Sequence, residues 1–198
     1  MIDFHEIGLV SKLRAGKPEA YAEVYDRYST RLMGYALRLS GDRGDAEDLL
    51  QETLLAAWHG REAFHGKVKL LSWLLGILTR RWRDRCRHRQ VDTVSQALQD
   101  GEIEAKASGW PESRLETAVI DRLMMDKALA TLELPFREAL LLIHSQGLTY
   151  REAAEVLDEP VGTVKWRVSE ALKRVQRRFA ACEEEIDGLQ RTSAGTVG

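Results

Sequence analysis

The sequence predicts an all-α protein of two small helical domains joined by a flexible linker. Apolar residues recur at spacings of three and four along most of the 198 residues, and the alternation typical of strands is nearly absent. This periodicity breaks down once, from Asp92 to about Glu116, where acidic residues, glycines and serines replace apolar ones. We therefore expect helical domains at 1–91 and 119–182, an acidic linker at 92–118 and a fraying tail at 183–198.

The first domain is expected to begin with a long helix and a second, acidic one. Pro18 is tolerated in a first helical turn, and Gly41 is a typical helix end. Asp45 is the expected cap of the second helix, with Asp48 near its positive N-terminus.

A loop and a third helix are expected to complete this domain. His59 to Lys69 lacks a helical pattern, and the third helix begins at Leu70. Trp73 and Trp82 align with its apolar stripe, so we interpret both as core residues.

The last third of the chain has the pattern of a helix-turn-helix. A helix starting at Leu134 is expected to stop at Gly147, and Thr149 with Glu152 forms a capping box that opens a short second helix ending near Leu157. A turn follows, in which aspartate at 158 adopts left-handed backbone angles more easily than most residues. Thr163 is the expected cap of the longer recognition helix.

Apolar residues of this last helix recur at positions 164, 168, 172, 175 and 179, which predicts a basic face on the opposite side. In a helix-turn-helix, the N-terminal part of the second helix enters the major groove. The candidate residues for duplex DNA are Thr149, Tyr150, Arg151, Thr163, Lys165, Trp166, Arg167, Ser169, Glu170, Lys173, Arg174 and Arg177.

Charge is strongly segregated although the formal net charge is only -2. Basic blocks at 80–89 and 165–178 contrast with an acidic cluster at 42–52, which indicates more than one partner. The sequence has neither a signal-peptide pattern nor an apolar run long enough to span a bilayer, so we expect a cytoplasmic protein without membrane insertion. Cys86, Cys182 and the histidines lack metal-ligand spacing, so we expect no metal, no cofactor and no catalytic residues.

Four stretches, in order, resemble conserved regions of bacterial sigma factors of the extracytoplasmic-function (ECF, group 4) type. Residues 45–58 resemble region 2.2. Residues 64–66 with 72–74 resemble region 2.3, and residues 80–89 resemble region 2.4. Residues 148–179 resemble region 4.2. The resemblance implies a dissociable specificity subunit of RNA polymerase rather than an enzyme, with region 2 in 1–91 and region 4 in 119–182.

The resemblance also implies partners. Region 2.2 is expected to bind the beta-prime clamp helices of core polymerase, region 4 the beta flap, and a dedicated anti-sigma factor is expected to restrain both domains. The implied core-binding residues are Asp45, Asp48, Leu49, Gln51, Glu52, Leu55 and Trp58. Two alternatives stay open: the aspartates can cap their helix, and Leu55 and Trp58 can belong to the core.

Promoter DNA is the other implied partner. Region 4 is expected to bind the -35 duplex, and region 2 to melt the -10 element and capture a flipped base. The implied -10 residues are Phe64, His65, Lys67, Lys69, Arg80, Arg81, Arg83, Asp84 and Arg87. The acidic linker is expected either in the RNA exit path or as a solvated tether. Arg81, Trp166 and Glu170 depart from common family residues, which predicts an individual promoter preference.

Two other functions are alternatives to this one. A helix-turn-helix repressor or activator would bind duplex DNA but not polymerase, and it would not need the acidic helix at 45–58. An enzyme with a carboxylate site at Asp45, Asp48 and Glu52 is disfavoured because no partner histidine or nucleophile is near in sequence.

Overall fold

The computed structural model describes residues 4–66, 68–97 and 126–194, and all regular secondary structure in these ranges is helical. The predicted all-α class is therefore confirmed for the described residues. Lys67, most of the predicted linker (98–118) and the last four residues of the predicted tail lie outside them.

The N-terminal domain is a bundle of four helices. They are α1 (Phe4–Arg14), α2 (Pro18–Ser40), α3 (Arg43–His59) and α4 (Leu70–Ala97), with a 3-10 turn at Arg61–Ala63. Helix α2 packs against all three others, and its Leu32, Tyr35 and Leu39 are completely buried. Inside this core the Tyr35 hydroxyl lies 3.0 Å from Oγ1 of Thr79 on α4, and burial raises the pKa of Tyr35 well above its usual range.

The helix ends in this domain follow local chemistry. Pro18 lies in the first turn of α2, and Gly41 ends the helix with a φ of 73°, as predicted. The cap of α3 was predicted three residues too late: the Asp42 carboxylate, not Asp45, is the cap, and it accepts a hydrogen bond of 2.9 Å from the Asp45 amide.

Helix α4 is longer than predicted. It begins at Leu70, as expected, but continues to Ala97, six residues past the predicted domain boundary at 91. Trp82 is buried, as predicted for a core residue. Trp73 is only half-buried and stacks on Phe64 with ring centroids 4.6 Å apart.

The C-terminal domain contains the helix-turn-helix. Residues 126–130 are helical, followed by α5 (Leu134–Leu140), which continues through a π-helical turn at Leu141–Ser145. Helix α6 (Tyr150–Leu157) and helix α7 (Val161–Ala194) are the helix pair of the motif. The predicted tail from 183 is therefore helical as far as Ala194.

The capping box that opens α6 is present in full. The Glu152 amide donates to the Thr149 hydroxyl, and the Thr149 amide donates to the Glu152 carboxylate at 2.8 Å. Asp158 ends α6 with a φ of 55°, the left-handed conformation predicted for it. Thr163 does not cap α7, because the helix already begins at Val161.

The inner face of α7 differs from the prediction at one position. Val164, Val168 and Val175 are buried as expected, but Leu172 is 38% exposed and Ala171 takes its place in the core. A small residue at this point lets α5 approach α7 closely.

The two domains pack directly against each other. Helix α4 lies against α6, and the buried apolar residues of both domains form one continuous core. The sequence predicted two domains on a tether. The structure has both domains and places them in a closed arrangement with an extensive interface.

Candidate nucleic-acid interface

The outward face of α7 is a basic surface, as the sequence predicted. Lys165, Ser169, Lys173 and Arg177 are exposed along it, and Trp166 among them is 59% exposed. At 3.6 residues per turn these positions fall opposite the buried valines, so they share one face. Such a face can lie in a major groove with cations near phosphates.

Trp166 is held from one side by aromatic and charged neighbours. Its ring lies 5.5 Å from that of Phe136, centroid to centroid, and the Arg174 guanidinium lies 4.1 Å from the Phe136 centroid. Arg174 also donates to Glu133 at 3.1 Å and to Glu170 at 3.3 Å. Sequence reasoning missed Phe136 and Glu133, because only the fold brings α5 beside α7.

Some of the predicted -35 residues contact other residues of the helix-turn-helix. Arg167 is half-buried and donates to Glu159 at 2.7 Å, which fixes the turn to the recognition helix. Tyr150 and Arg151 are exposed, and the Lys165 amine lies 5.8 Å from the Tyr150 ring centroid. Thr163 is half-buried.

The acidic helix α3 carries some exposed residues and others that are buried or paired within the N-terminal domain. Asp48, Gln51 and Leu55 are exposed, Leu55 by 54%. Leu49 is completely buried and so cannot contact a partner in this structure. Trp58 is half-buried, with the Arg61 guanidinium 4.6 Å from its ring centroid.

Two other carboxylates of this helix, Asp45 and Glu52, pair with arginines of α4. Asp45 accepts from Arg89 at 2.9 Å and from Arg85 at 3.3 Å, and Glu52 accepts from Arg85 at 2.7 Å. The hydrogen bonds from Arg89 lower the pKa of Asp45. Of the three carboxylates predicted to bind core polymerase, Asp48 is the exposed one, whereas Asp45 and Glu52 pair with arginines.

The loop before α4 and the first turns of α4 surround a cavity of about 430 Å³. Trp73 and Ile77 form an apolar wall, and Arg80, Arg81 and Asp84 form a charged one. Arg80 and Arg81 are exposed at this site.

The predicted -10 residues around this cavity differ in their exposure. Phe64 is buried beneath Trp73 and is a support rather than an accessible contact, whereas His65 is exposed. Arg87 is exposed and pairs with Asp84.

Two other predicted -10 residues face the C-terminal domain. The Lys69 amine lies 2.9 Å from the Glu152 carboxylate of the capping box. Although partial burial would raise it, the hydrogen bonds from Lys69 and Thr149 lower the pKa of Glu152 to about 2.

Arg83 is the centre of the domain interface. Its guanidinium donates to both carboxylate oxygens of Glu138, at 2.6 to 3.0 Å, and to the carbonyl of Leu157 at 3.2 Å. Glu138 is completely buried, and Glu159 lies 3.6 Å from the same guanidinium. Nothing in the sequence signals this pair, because its members are 55 positions apart.

Helix α2 makes further bonds to the C-terminal domain, among them an ion pair of Arg38 with Asp126 at 3.3 Å. Arg137 donates to the carbonyl of Leu39 at 2.9 Å. Its positive charge is also stabilised by the negative C-terminal end of the α2 dipole. Arg31 donates to the carbonyl of Gln146 at 2.6 Å.

Within the described ranges, no cluster of histidine, cysteine or acidic side chains is arranged to hold a metal ion. Over the same residues, no helix is long and apolar enough to cross a membrane.

Comparison with known proteins gives a consistent result. Residues 24–91 match the model of Sigma-70 region 2, and residues 122–175 match that of Sigma-70 region 4. The ECF RNA polymerase sigma factor EcfG of Rhodopseudomonas palustris is 34% identical over 169 residues, covering 84% of this chain and 89% of that protein. The ECF sigma factor SigL of Mycobacterium tuberculosis is 30% identical over 171 residues, covering 84% and 93%.

Solved structures are similar as well. The sigma factor RpoE in complex with the anti-sigma factor NepR, from Bartonella quintana, aligns with a TM-score of 0.67 and 29% identity, covering 80% of this chain and 97% of that one. CnrH in complex with the cytosolic domain of CnrY also has a TM-score of 0.67, at 22% identity, covering 89% and 97%, and supports the fold.

Proposed function

Because the chain belongs to the ECF family of RNA polymerase sigma factors, we propose that it binds core RNA polymerase and directs promoter-specific initiation. One observation carries the proposal: a single chain presents a basic recognition-helix face and a separate helix with exposed Asp48, Gln51 and Leu55. A repressor of duplex DNA needs only the first of these surfaces.

The C-terminal domain binds the -35 duplex in this proposal. The N-terminal turns of α7 enter the major groove, where Lys165, Trp166 and Ser169 are nearest the bases. Lys173 and Arg177, further along the exposed face, contact phosphates and add affinity without sequence information.

The N-terminal domain opens and holds the -10 element. Flipping a base costs a few kcal/mol, which a pocket must offset by stacking and charge. The cavity beside Trp73 offers an aromatic edge with Arg80 and Arg81 at its rim, the combination used by single-strand binders. His65 is exposed on the loop that leads to this cavity, and Phe64 supports Trp73 from below.

Core polymerase docks on the exposed part of α3. Asp48 supplies charge to the beta-prime clamp helices, and Leu55 supplies an apolar contact. Asp45 and Glu52 contribute less because Arg85 and Arg89 already pair with them. The beta flap remains a proposed partner of the C-terminal domain.

The closed arrangement must open for this function. The -10 and -35 elements are about 25 base pairs apart, which is about 85 Å along the duplex at 3.4 Å per base pair. Domains that share a core cannot reach both elements, and the interface also occupies Lys69 and Arg83. The closed form is therefore the resting state, and docking on polymerase separates the domains.

An anti-sigma factor would stabilise this resting state. A mostly apolar groove of about 360 Å³ is lined by Leu129, Leu140, Leu141 and Leu172 of the C-terminal domain and by Arg38 of α2. Because both domains border the groove, an apolar helix of an anti-sigma factor lying in it would hold them together. The similar sigma factor RpoE forms a complex with the anti-sigma factor NepR, which supports an anti-sigma factor as a partner of this chain.

Charge reversal on α3 tests the docking surface. Asp48→Lys should weaken binding to core polymerase at least tenfold, measured by fluorescence anisotropy of the labelled chain. The affinity of the free chain for a -35 duplex should stay unchanged. Glu47→Lys is the matched control, because Glu47 is also exposed on α3 but pairs with Arg43 at 2.8 Å. Equal core affinity of Asp48→Lys and the unchanged chain would refute the docking assignment, and failure of the unchanged chain to bind core would refute the function.

A further inference from the structure

We propose that Trp166 and Glu170 determine the sequence preference of α7, Trp166 by contact with a thymine methyl group and Glu170 by accepting a hydrogen bond from cytosine N4. The inference rests on the proposed function and names the bases that the recognition helix selects. Trp166 is exposed, and Glu170, one helical turn further along α7, is half-buried.

The exposure and support of Trp166 point to an apolar contact with DNA. With 59% of its surface exposed, Trp166 is the most exposed large hydrophobic residue among those described, and it lies between Lys165 and Ser169 on a polar face. Phe136 fixes the indole from one side, and Arg174 covers Phe136 in turn. A ring held in place before binding loses little conformational entropy when it meets its target.

Thymine is the base that offers Trp166 an apolar group. Its C5 methyl projects into the major groove, whereas the other base edges there present hydrogen-bonding atoms. An indole packed against that methyl group removes both apolar surfaces from water.

Glu170 would repel phosphates if its charge were uncompensated. The structure balances it: Arg174 donates to the carboxylate at 3.3 Å, and the Lys173 amine lies 3.9 Å away. These cations orient the carboxylate, and an oxygen with free lone pairs remains as a pure acceptor. Cytosine N4 is a major-groove donor, while the adenine amine lies beside the acceptor N7, which repels a carboxylate.

The spacing of the two residues predicts the spacing of the bases. Four residues rise about 6 Å along a helix. At 3.4 Å per base pair, this distance corresponds to about two base pairs. The selected element should therefore contain a thymine and a cytosine about two positions apart, on either strand.

Removal of single methyl groups tests the thymine contact directly. The holoenzyme, reconstituted from the full chain and core polymerase, first selects promoters from a library randomised over the upstream element. Each thymine of the selected element is then replaced by uracil, which lacks only the C5 methyl. One replacement should weaken promoter binding about fourfold, the effect expected for one buried methyl group.

The variants assign the effect to the two side chains. Trp166→Ala should abolish the uracil effect, and Trp166→Phe should retain part of it. Glu170→Ala should reduce the preference for cytosine at the second position about fivefold or more. Arg177→Ala is the control, because Arg177 is an exposed residue assigned to a phosphate, and loss of a phosphate contact weakens all sequences equally.

Two results would overturn the inference: uracil that is tolerated at every position by the unchanged chain, or a uracil effect that persists in Trp166→Ala. Either result leaves the proposed function intact provided that the holoenzyme still selects promoters. Absence of any promoter selection would instead refute the proposed function itself.

Discussion

Loss of the Glu138 charge should open the two domains. Glu138→Gln keeps the shape of the side chain but removes the charge that faces Arg83 across the interface. Arg83 then keeps its charge between the domains without its main partner, although Glu159 still lies 3.6 Å away.

The size of the effect follows from burial. Burial raises the pKa of Glu138, and Arg83 opposes that shift, so desolvation offsets much of what the intact pair contributes. Removing one partner of a buried pair is more costly, about 3–5 kcal/mol, because the other charge is left uncompensated. Since the Arg83 side chain is 31% exposed, we expect the lower end of this range. About 3 kcal/mol corresponds to roughly a 150-fold shift towards the open form.

Energy transfer between two dyes measures this shift. Glu19 on α2 and Gln176 on α7 are both exposed, and cysteines placed there can carry the dyes once the two native cysteines are replaced by serine. The unchanged pair should give a high-transfer population, and Glu138→Gln a low-transfer one. Glu47→Gln removes a charge from an exposed pair and should change nothing. A high-transfer population that persists in Glu138→Gln would refute the role of this ion pair in closure.

Three further predictions concern stability. Tyr35→Phe leaves the Thr79 hydroxyl buried without its partner and should lower the free energy of unfolding by about 1–2 kcal/mol, measured by urea denaturation. Tyr25→Phe, at a 48% exposed site, is the control and should have little effect. Asp158→Gly relieves a left-handed backbone at the end of α6 and should raise the midpoint of thermal unfolding, with no rise or a fall counting against it. Since the pKa of Glu152 is depressed to about 2, its contribution is complete above its ordinary pKa of 4.5 and should fade as the pH drops from there towards 2; Glu152→Gln should flatten that part of the stability profile.

Local signals predicted most elements of the fold. Helix ends are set by residues that act on their immediate neighbours, so they can be recognised from the sequence alone. Examples are Pro18, Gly41, Gly147 and the Thr149 capping box. The start of α3 was misplaced because the sequence offers several aspartates as caps. Asp42 is the one used, and its carboxylate accepts from the amide three residues on.

The candidate site was predictable in composition but not in pairing. Periodicity placed Trp166 and Lys173 on the outward face of α7. It could not show that Leu49 is buried, because Leu50 and Leu55 on the same helix are equally apolar and yet are half-buried and exposed, respectively. Arg83 was predicted to bind the -10 element, yet in the closed structure it bonds to Glu138, a contact that depends on how whole domains pack.

Transcription initiation by reconstituted holoenzyme tests whether the chain acts as a sigma factor. Core polymerase with the purified chain is incubated with a promoter library, and RNA starts are mapped by sequencing. We expect starts from a subset of promoters that share a -35 and a -10 element. We expect no such starts from core alone or from core with Asp48→Lys at limiting concentration. Duplex binding by the chain, without co-elution with core and without specific starts, would show a simple helix-turn-helix regulator and contradict the account.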